Sequence, residues 1–284
     1  MSGGVQTGYV PQTGPGAPAP TRRPWLIVAT VAWALLLALL VWISVRDDPP
    51  TVREQRTIAE AGPVVDRAAG ELVAAGGTAL LELTPARVER GCRVTPFAAG
   101  AVLTRHVWLA AAGGGERDLL EGVADRLPAD WRAGVRTTTD GLRLRADAGE
   151  FVTVTGRPVG DGRVRLTVDT GCRPVGAGYT PAPAAAGPEA GVLADALRAL
   201  DRPDDPAPEV VTAPCPGGGV ARTVRAAVDL DPGAPAGALA PLAADGPILD
   251  GPEAYAYRAG SVTVLADTTA DDPHLAATTP CPHP

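Results

Sequence analysis

Apolar and polar positions along this chain follow three rhythms, and each dictates a different kind of element. The first is an unbroken run, Trp25 to Val45, WLIVATVAWALLLALLVWISV, 21 residues without a charge. At about 1.5 Å per residue it makes a helix of about 31 Å, matching the hydrocarbon core of a bilayer. Trp25 and Trp42 lie near its ends and Arg22, Arg23 and Arg46 bracket it, the arrangement that indoles and charges take at a membrane interface. A buried core helix of this length would carry a polar face, whereas only Thr30 and Ser44 are polar here. The run therefore predicts a transmembrane signal anchor over 22–46, held in the lipid bilayer through Trp25 to Val45. It is too long for the h-region of a cleaved signal peptide, and no A-x-A site follows it. Within it Thr30, Ala34 and Ala38 recur at i, i+4 and i+8, a small-residue stripe that permits close approach of a second copy's helix.

The second rhythm is helical. Val64, Val65, Ala68, Leu72 and Val73 recur on one helical face, Pro63 suits a first turn, and Gly76-Gly77 ends the segment. Further helices are expected over 116–127, 188–200 and 237–244. The third rhythm is alternation. Leu142, Leu144 and Ala146, then Val152 and Val154, take every second place and predict strands with one buried and one polar face. Strand-like runs also cover 101–110, 164–170, 209–211, 221–230, 254–257, 261–266 and 275–279.

These segments fall into two series with the same order of parts: helix, a segment reaching a cysteine, strand, helix, three strand-like runs and a second cysteine. LRLRADAGEFVTVTGR in the first parallels YAYRAGSVTVLAD in the second, and LTVDTGCRP parallels LAATTPCPHP. The expected fold class is α+β: two tandem repeats, each a helix, strands, a helix and a three-strand antiparallel meander, closed by one disulfide. The first unit spans 63–172 and the second 188–284, with a Pro/Ala linker over 173–187. Before them come a stalk over 47–62 and a Gly/Pro/Thr-rich tail over 1–21, which cannot bury enough apolar surface to offset its chain entropy.

Cysteine usage sets the compartment. All four, Cys92, Cys172, Cys215 and Cys281, follow the anchor, and their number and wide spacing fit disulfides in an oxidising space. The repeat pairs Cys92 with Cys172 and Cys215 with Cys281. Flanking arginines do not decide orientation, because they stand on both sides of the anchor. The cysteines do, placing the tail in the cytoplasm and residues 49–284 outside it.

Composition then narrows the partners. Lysine and asparagine are absent and all 25 basic residues are arginine, the codon signature of a GC-rich genome such as that of an actinobacterium. Residues 49–284 carry 22 arginines against 30 acids, a net charge of minus 8 that does not suit nucleic acid. The balance is uneven: 17 arginines and 16 acids precede position 181, five and 14 follow. In the first unit the polar strand face carries Arg143 and Arg145, with Arg163 and Arg165 on a neighbouring run. Guanidinium groups grip carboxylate and phosphate bidentately, so this stripe is a candidate face for an anionic ligand or for the acidic second unit. A solvated face balanced by nearby acids is the plainer reading of the same residues.

Catalytic constellations are sparse. Beyond the anchor Ser261 is the one serine, with no G-x-S-x-G or S-x-x-K around it, and the cysteines are committed to disulfides. His106, His274 and His283 form no H-E-x-x-H and there is no C-x-x-C, so no metal or other cofactor is expected. Asp267, Asp271 and Asp272 fit no EF-hand spacing, and Gly113-Gly114-Gly115 and Gly217 to Gly219 lack the lysine of a phosphate loop. Glu116, Asp118, Glu121 and Glu150 are acids from which a wall-hydrolysing carboxylate pair would have to come. The expectation is a non-catalytic, membrane-anchored binding or accessory protein of a bacterial envelope, with an envelope protein or cell-wall ligand as partner. Its alternatives are a carboxylate-pair enzyme acting on the cell wall, and a structural spacer.

Overall fold

The computed structural model describes residues 24–47, 56–110, 115–160, 162–202, 207–269 and 273–282. The expected tail, Arg22, Arg23, most of the stalk, Gly113, Gly114, Asp271, Asp272 and His283 lie outside the described residues. The chain divides into two compact units, Met1–Pro49 and Pro50–Pro284.

The first unit contains helix α1 (Pro24–Asp47), whose described side chains, Trp25–Ile43, are all exposed. It is long and apolar enough to cross a membrane, and it fits a single-pass anchor. Thr30 turns its hydroxyl back to the carbonyl of Leu26 at 2.7 Å, which satisfies the polar group within the helix.

The second unit is α+β with two antiparallel sheets. Helix α2 (Ile58–Gly76) starts five residues before Pro63 because Thr57 and Glu60 form a capping box: Glu60 N–H donates to Thr57 Oγ1 at 3.3 Å and Thr57 N–H to the Glu60 carboxylate at 2.7 Å. The first sheet is built from β1 (Leu80–Leu83), β2 (Arg87–Thr95), β3 (Ala98–Ala110), β4 (Gly134–Thr138), β5 (Gly141–Asp147), β6 (Thr153–Gly160) and β7 (Arg163–Asp169), with α3 (Glu116–Arg126) between β3 and β4. Its order is β1-β3-β7-β6-β5-β4, and β2 pairs with the other half of β3's length. Leu103, Val107, Leu109, Leu144, Val154, Leu166 and Val168 point to one face and pack under α2 and α3.

After the linker come α4 (Glu189–Ala199), β8 (Glu209–Pro214), β9 (Val220–Ala227), α5 (Ala234–Leu239), β10 (Pro247–Asp250), β11 (Ala254–Ala259), β12 (Val262–Asp267) and β13 (His274–Thr279). The second sheet runs β10-β11-β12-β13-β9-β8. Read outward from β2, which holds Cys92, and from β8, which leads into Cys215, the two sheets have the same connectivity, β2-β3-β7-β6-β5-β4 and β8-β9-β13-β12-β11-β10. Leu193, Ala196 and Leu197 of α4 pack on Val224, Val264, Tyr257 and Leu275 of the second sheet.

Cys92 is bonded to Cys172 and Cys215 to Cys281, the pairing read from the sequence. Each bridge ties the strand on one side of the long central strand, β3 or β9, to the segment that follows the strand on its other side. Closing loops of 80 and 66 residues, each stabilises the fold by roughly 2 to 5 kcal/mol through the unfolded chain.

Several sequence expectations are corrected. The helix expected over 237–244 is α5, only six residues long and followed by a 3-10 turn at Ala240–Leu242, since Pro241 denies the helix an N–H donor. Strands β1, β4 and β10 are additional; β4 and β10 are short edge strands, and Pro247 opens β10 where an edge tolerates a missing donor. The linker is no free spacer. Pro174 accepts a hydrogen bond from Ile58 N–H at 2.8 Å, Arg173 pairs with Ala101, and the Tyr179 hydroxyl donates to Asp66 at 2.8 Å. The sequence leaves the packing of the two halves open, and in the structure they share a core. Val211, Ala213, Ala221 and both cysteines of the second bridge join the core around α2, where a Cβ at Gly70 would come within 1.7 Å of the Pro214 carbonyl oxygen.

Candidate functional site: an arginine-lined sheet face

The antiparallel register decides which of the predicted arginines meet. On the face of the first sheet away from α2 and α3, Trp108 of β3 stands opposite Arg165 of β7, and Arg165 opposite Arg157 of β6. Farther along the same face Arg143 of β5 stands opposite Arg136 of β4. The next row holds His106, Thr167, Thr155 and Arg145 in successive pairs. Of these five arginines, Arg143, Arg145 and Arg165 are legible in the sequence; Arg157 is missed, because Pro158 obscures the alternation, and so is Arg136, because β4 reads as a polar loop.

Two directly opposed arginine pairs on one face are electrostatically unfavourable, by roughly 0.2 to 1 kcal/mol each. Among the described residues, Arg136, Arg143, Arg145, Arg157 and Arg165 make no ion pair within 4.0 Å. The Arg165 guanidinium sits 5.5 Å from the centroid of the Trp108 ring, a cation–π contact, while its Nε is buried without a hydrogen-bond partner. A groove of about 770 Å³ opens on this face, lined by Arg132, Arg136, Arg143, Arg145, Thr155 and Phe151 among others. Asp140 and Asp147 are the acids in its lining, Asp147 lying 3.8 Å from Arg132.

His106 of β3 stands at one end of the row it shares with Arg145. Its Nδ1 lies 3.0 Å from the Thr167 hydroxyl. Partial burial holds its pKa below the usual imidazole range, reinforced by Arg87 and Arg157 and opposed by Asp169.

Arg163, the fourth arginine of the predicted stripe, has a different fate. It is buried and pairs with Asp267 at 3.0 Å and Glu253 at 3.7 Å, both in the second sheet's half of the chain. The half of the chain that builds the second sheet thus takes one arginine, and Arg143, Arg145 and Arg165 stay on the open face. Nearby, Glu82 of β1 is buried between His274 at 2.9 Å and Arg225 at 3.9 Å.

A smaller cavity of about 380 Å³ lies between α2, the linker and β8, with Asp66, Arg105 and Tyr179 in its wall. Arg105 is almost fully buried and donates to Asp66, to the Thr84 carbonyl and to the Thr212 carbonyl. Its three partners come from α2, the β1–β2 loop and β8, so it straps those elements together. Burial lowers the Arg105 pKa and raises that of Tyr179.

Of the acids considered for hydrolysis, Glu116, Asp118 and Glu121 lie on α3 and Glu150 in the β5–β6 turn. Glu116 accepts from Gly162 N–H, Glu121 pairs with Arg117 one helical turn away, and Glu150 pairs with Arg56 at a distant turn. Ser261 lies exposed in the turn between β11 and β12. Among the described residues no three His, Cys, Asp or Glu side chains gather as a metal site. Comparison with known proteins finds no family model, no curated protein and no solved structure that matches the chain.

Proposed function

We propose that the protein is a single-pass, membrane-anchored envelope protein whose extracytoplasmic domain binds an anionic ligand on the arginine face of its first sheet. The observation that carries this reading is the pair of opposed couples, Arg136 with Arg143 and Arg157 with Arg165, which lack carboxylate partners among the described residues. Planar guanidinium groups stacked in rows suit successive carboxylates or phosphates of one extended ligand, and the adjoining Phe151 and Trp108 offer apolar and π surface. The role is one of binding rather than catalysis, and the apolar α1 and the two disulfides support an anchor with the domain in an oxidising space.

The two sheets are read as products of a tandem duplication. Matching connectivity, helices at matching places and bridges across the same strand positions support it. In this account one copy kept its outer face for a ligand and the other turned the equivalent face into a packing surface.

The test is a titration of the full chain in nanodiscs with fluorescein-labelled short-chain polyphosphate and, separately, oligo-glutamate. At least one is expected to bind, with an affinity that falls steeply with salt and drops about tenfold or more in Arg143→Ala/Arg157→Ala. Equal affinity of the variant and the parent for both probes contradicts the assignment.

A further inference from the structure

Phenylalanine occurs twice in the chain, at Phe97 and Phe151, and neither ring is in the core: they are 98% and 44% exposed. Two exposed rings at turn tips offer apolar surface that any covering phase would remove from water. Both belong to the same end of the domain. β7 leaves the first sheet at Asp169 and runs on to Cys172, which is bonded to Cys92, and to Arg173, which pairs with Ala101. The next residue, Pro174, accepts from Ile58 N–H, so α2 begins at this same level. The β2–β3 hairpin continues past Ala101 to its tip at Phe97, four residues or about 13 Å farther from the sheet. Phe151 reaches the same end by another route. It sits in the β5–β6 turn beside Glu150, whose carboxylate pairs with Arg56 and whose carbonyl accepts from Arg173. Glu150 and Phe151 both adopt positive φ, 55° and 59°, a conformation that glycine would take without strain.

In the sequence, only residues 48–55 separate α1 from Arg56 at this end. Helix α1 ends at Asp47, and the eight residues 48–55 span at most about 29 Å even fully extended. In a chain anchored through α1, the end carrying Arg56 is therefore confined close to the bilayer surface. Behind Phe97 the hairpin carries the exposed Arg93 and Arg90, opposite Ala99 and Ala101, against the acid Glu89; Arg87 lies farther back, opposite Thr104. Aromatic tips flanked by arginine are the chemistry of an interfacial contact with anionic lipid.

We infer that this end of the domain docks on the bilayer its own anchor crosses, with the Phe97 and Phe151 rings entering the headgroup region and the hairpin arginines on anionic headgroups. The inference rests on the anchor reading of α1. Docking holds the ectodomain against the membrane, so that the arginine groove, which Phe151 borders, opens close to the lipid surface.

Because the chain has only two phenylalanines, biosynthetic para-fluorophenylalanine yields two fluorine resonances, assigned with Phe97→Leu. The full chain is reconstituted into nanodiscs of phosphatidylcholine and phosphatidylglycerol. Both signals are expected to be lost to broadening by a lipid-borne nitroxide and spared by an aqueous gadolinium chelate. Broadening by the chelate alone, in a chain that co-elutes with the discs, overturns docking and leaves the anchor intact. Broadening by neither means the rings are covered by protein, as by a second copy, and likewise overturns docking. Failure of the chain to enter the discs at all overturns the anchor reading, and docking with it.

Discussion

The two sheets of the second unit have the same connectivity and opposite fates on their outer faces. On the second sheet that face is buried. Thr223 and Thr278 share a hydrogen bond at 2.8 Å, Leu83 N–H donates to Thr223, Thr263 donates to the Leu81 carbonyl, and Asp267 holds Arg163. Ala256 and Leu265 pack on Leu80 and Ala110 beside them. On the first sheet the corresponding face is open beyond the rows that meet its neighbour, and its arginines face one another. The difference teaches that polarity of a strand face does not identify a site. What distinguishes the open face is that arginine stands opposite arginine with no ion pair to those arginines among the described residues, whereas the buried face satisfies its polar groups one by one.

The largest effect is expected where the two faces meet. Asp267→Ala leaves the Arg163 guanidinium buried without its closest partner and should cost about 3 to 5 kcal/mol in urea denaturation, while Arg163→Met with Asp267→Leu recovers most of it. A destabilisation within about 0.5 kcal/mol of zero would mean that the junction is solvated and that the sheets are not locked through it. Next are the bridges. Replacing both cysteines by serine in either sheet should cost a few kcal/mol, and the loops of 80 and 66 residues make the two losses differ by only about 0.2 kcal/mol in the chain-entropy account. A much larger loss on one side would break the equivalence of the two halves.

On the open face the expectation reverses. Arg143→Ala/Arg157→Ala should leave stability unchanged or raise it by up to about 1 kcal/mol, because each removes one member of a repulsive pair. A loss of stability would show that these arginines have structural partners after all. The smallest effect concerns His106. Its folded pKa is depressed, so as pH falls below about 6.5 the unfolded chain binds the proton first and stability declines; above that value the contribution is complete. In a nitrogen-detected NMR titration Arg157→Ala should move this pKa upward, and an anion bound on the face should move it further.

Much of this was legible in the chain. The 21-residue apolar run, the alternation around Leu144 and Val154, and the parallel placement of the cysteines anticipate α1, the meanders and both bridges. Local pattern could not show that Arg163 and Arg165, two residues apart on one face, part company, because a strand from the other half covers only the first. Nor could it show that Arg105 points inward: its neighbours alternate as a strand should, and only Asp66 and Thr212, distant in sequence, explain a buried guanidinium there. The linker's Pro and Ala content describes its stiffness, whereas its packing depends on Asp66 and Ala101, which composition does not register.

The central claim, an arginine face awaiting an anion, is most directly tested by phenylglyoxal modification read residue by residue in the mass spectrometer, comparing native membranes with the purified full chain. The account predicts that Arg136, Arg143, Arg145 and Arg157 react readily in the purified protein and are shielded in native membranes, while the buried Arg105 and Arg163 resist in both. Equal reactivity of the four open arginines in membranes and in purified protein would contradict it.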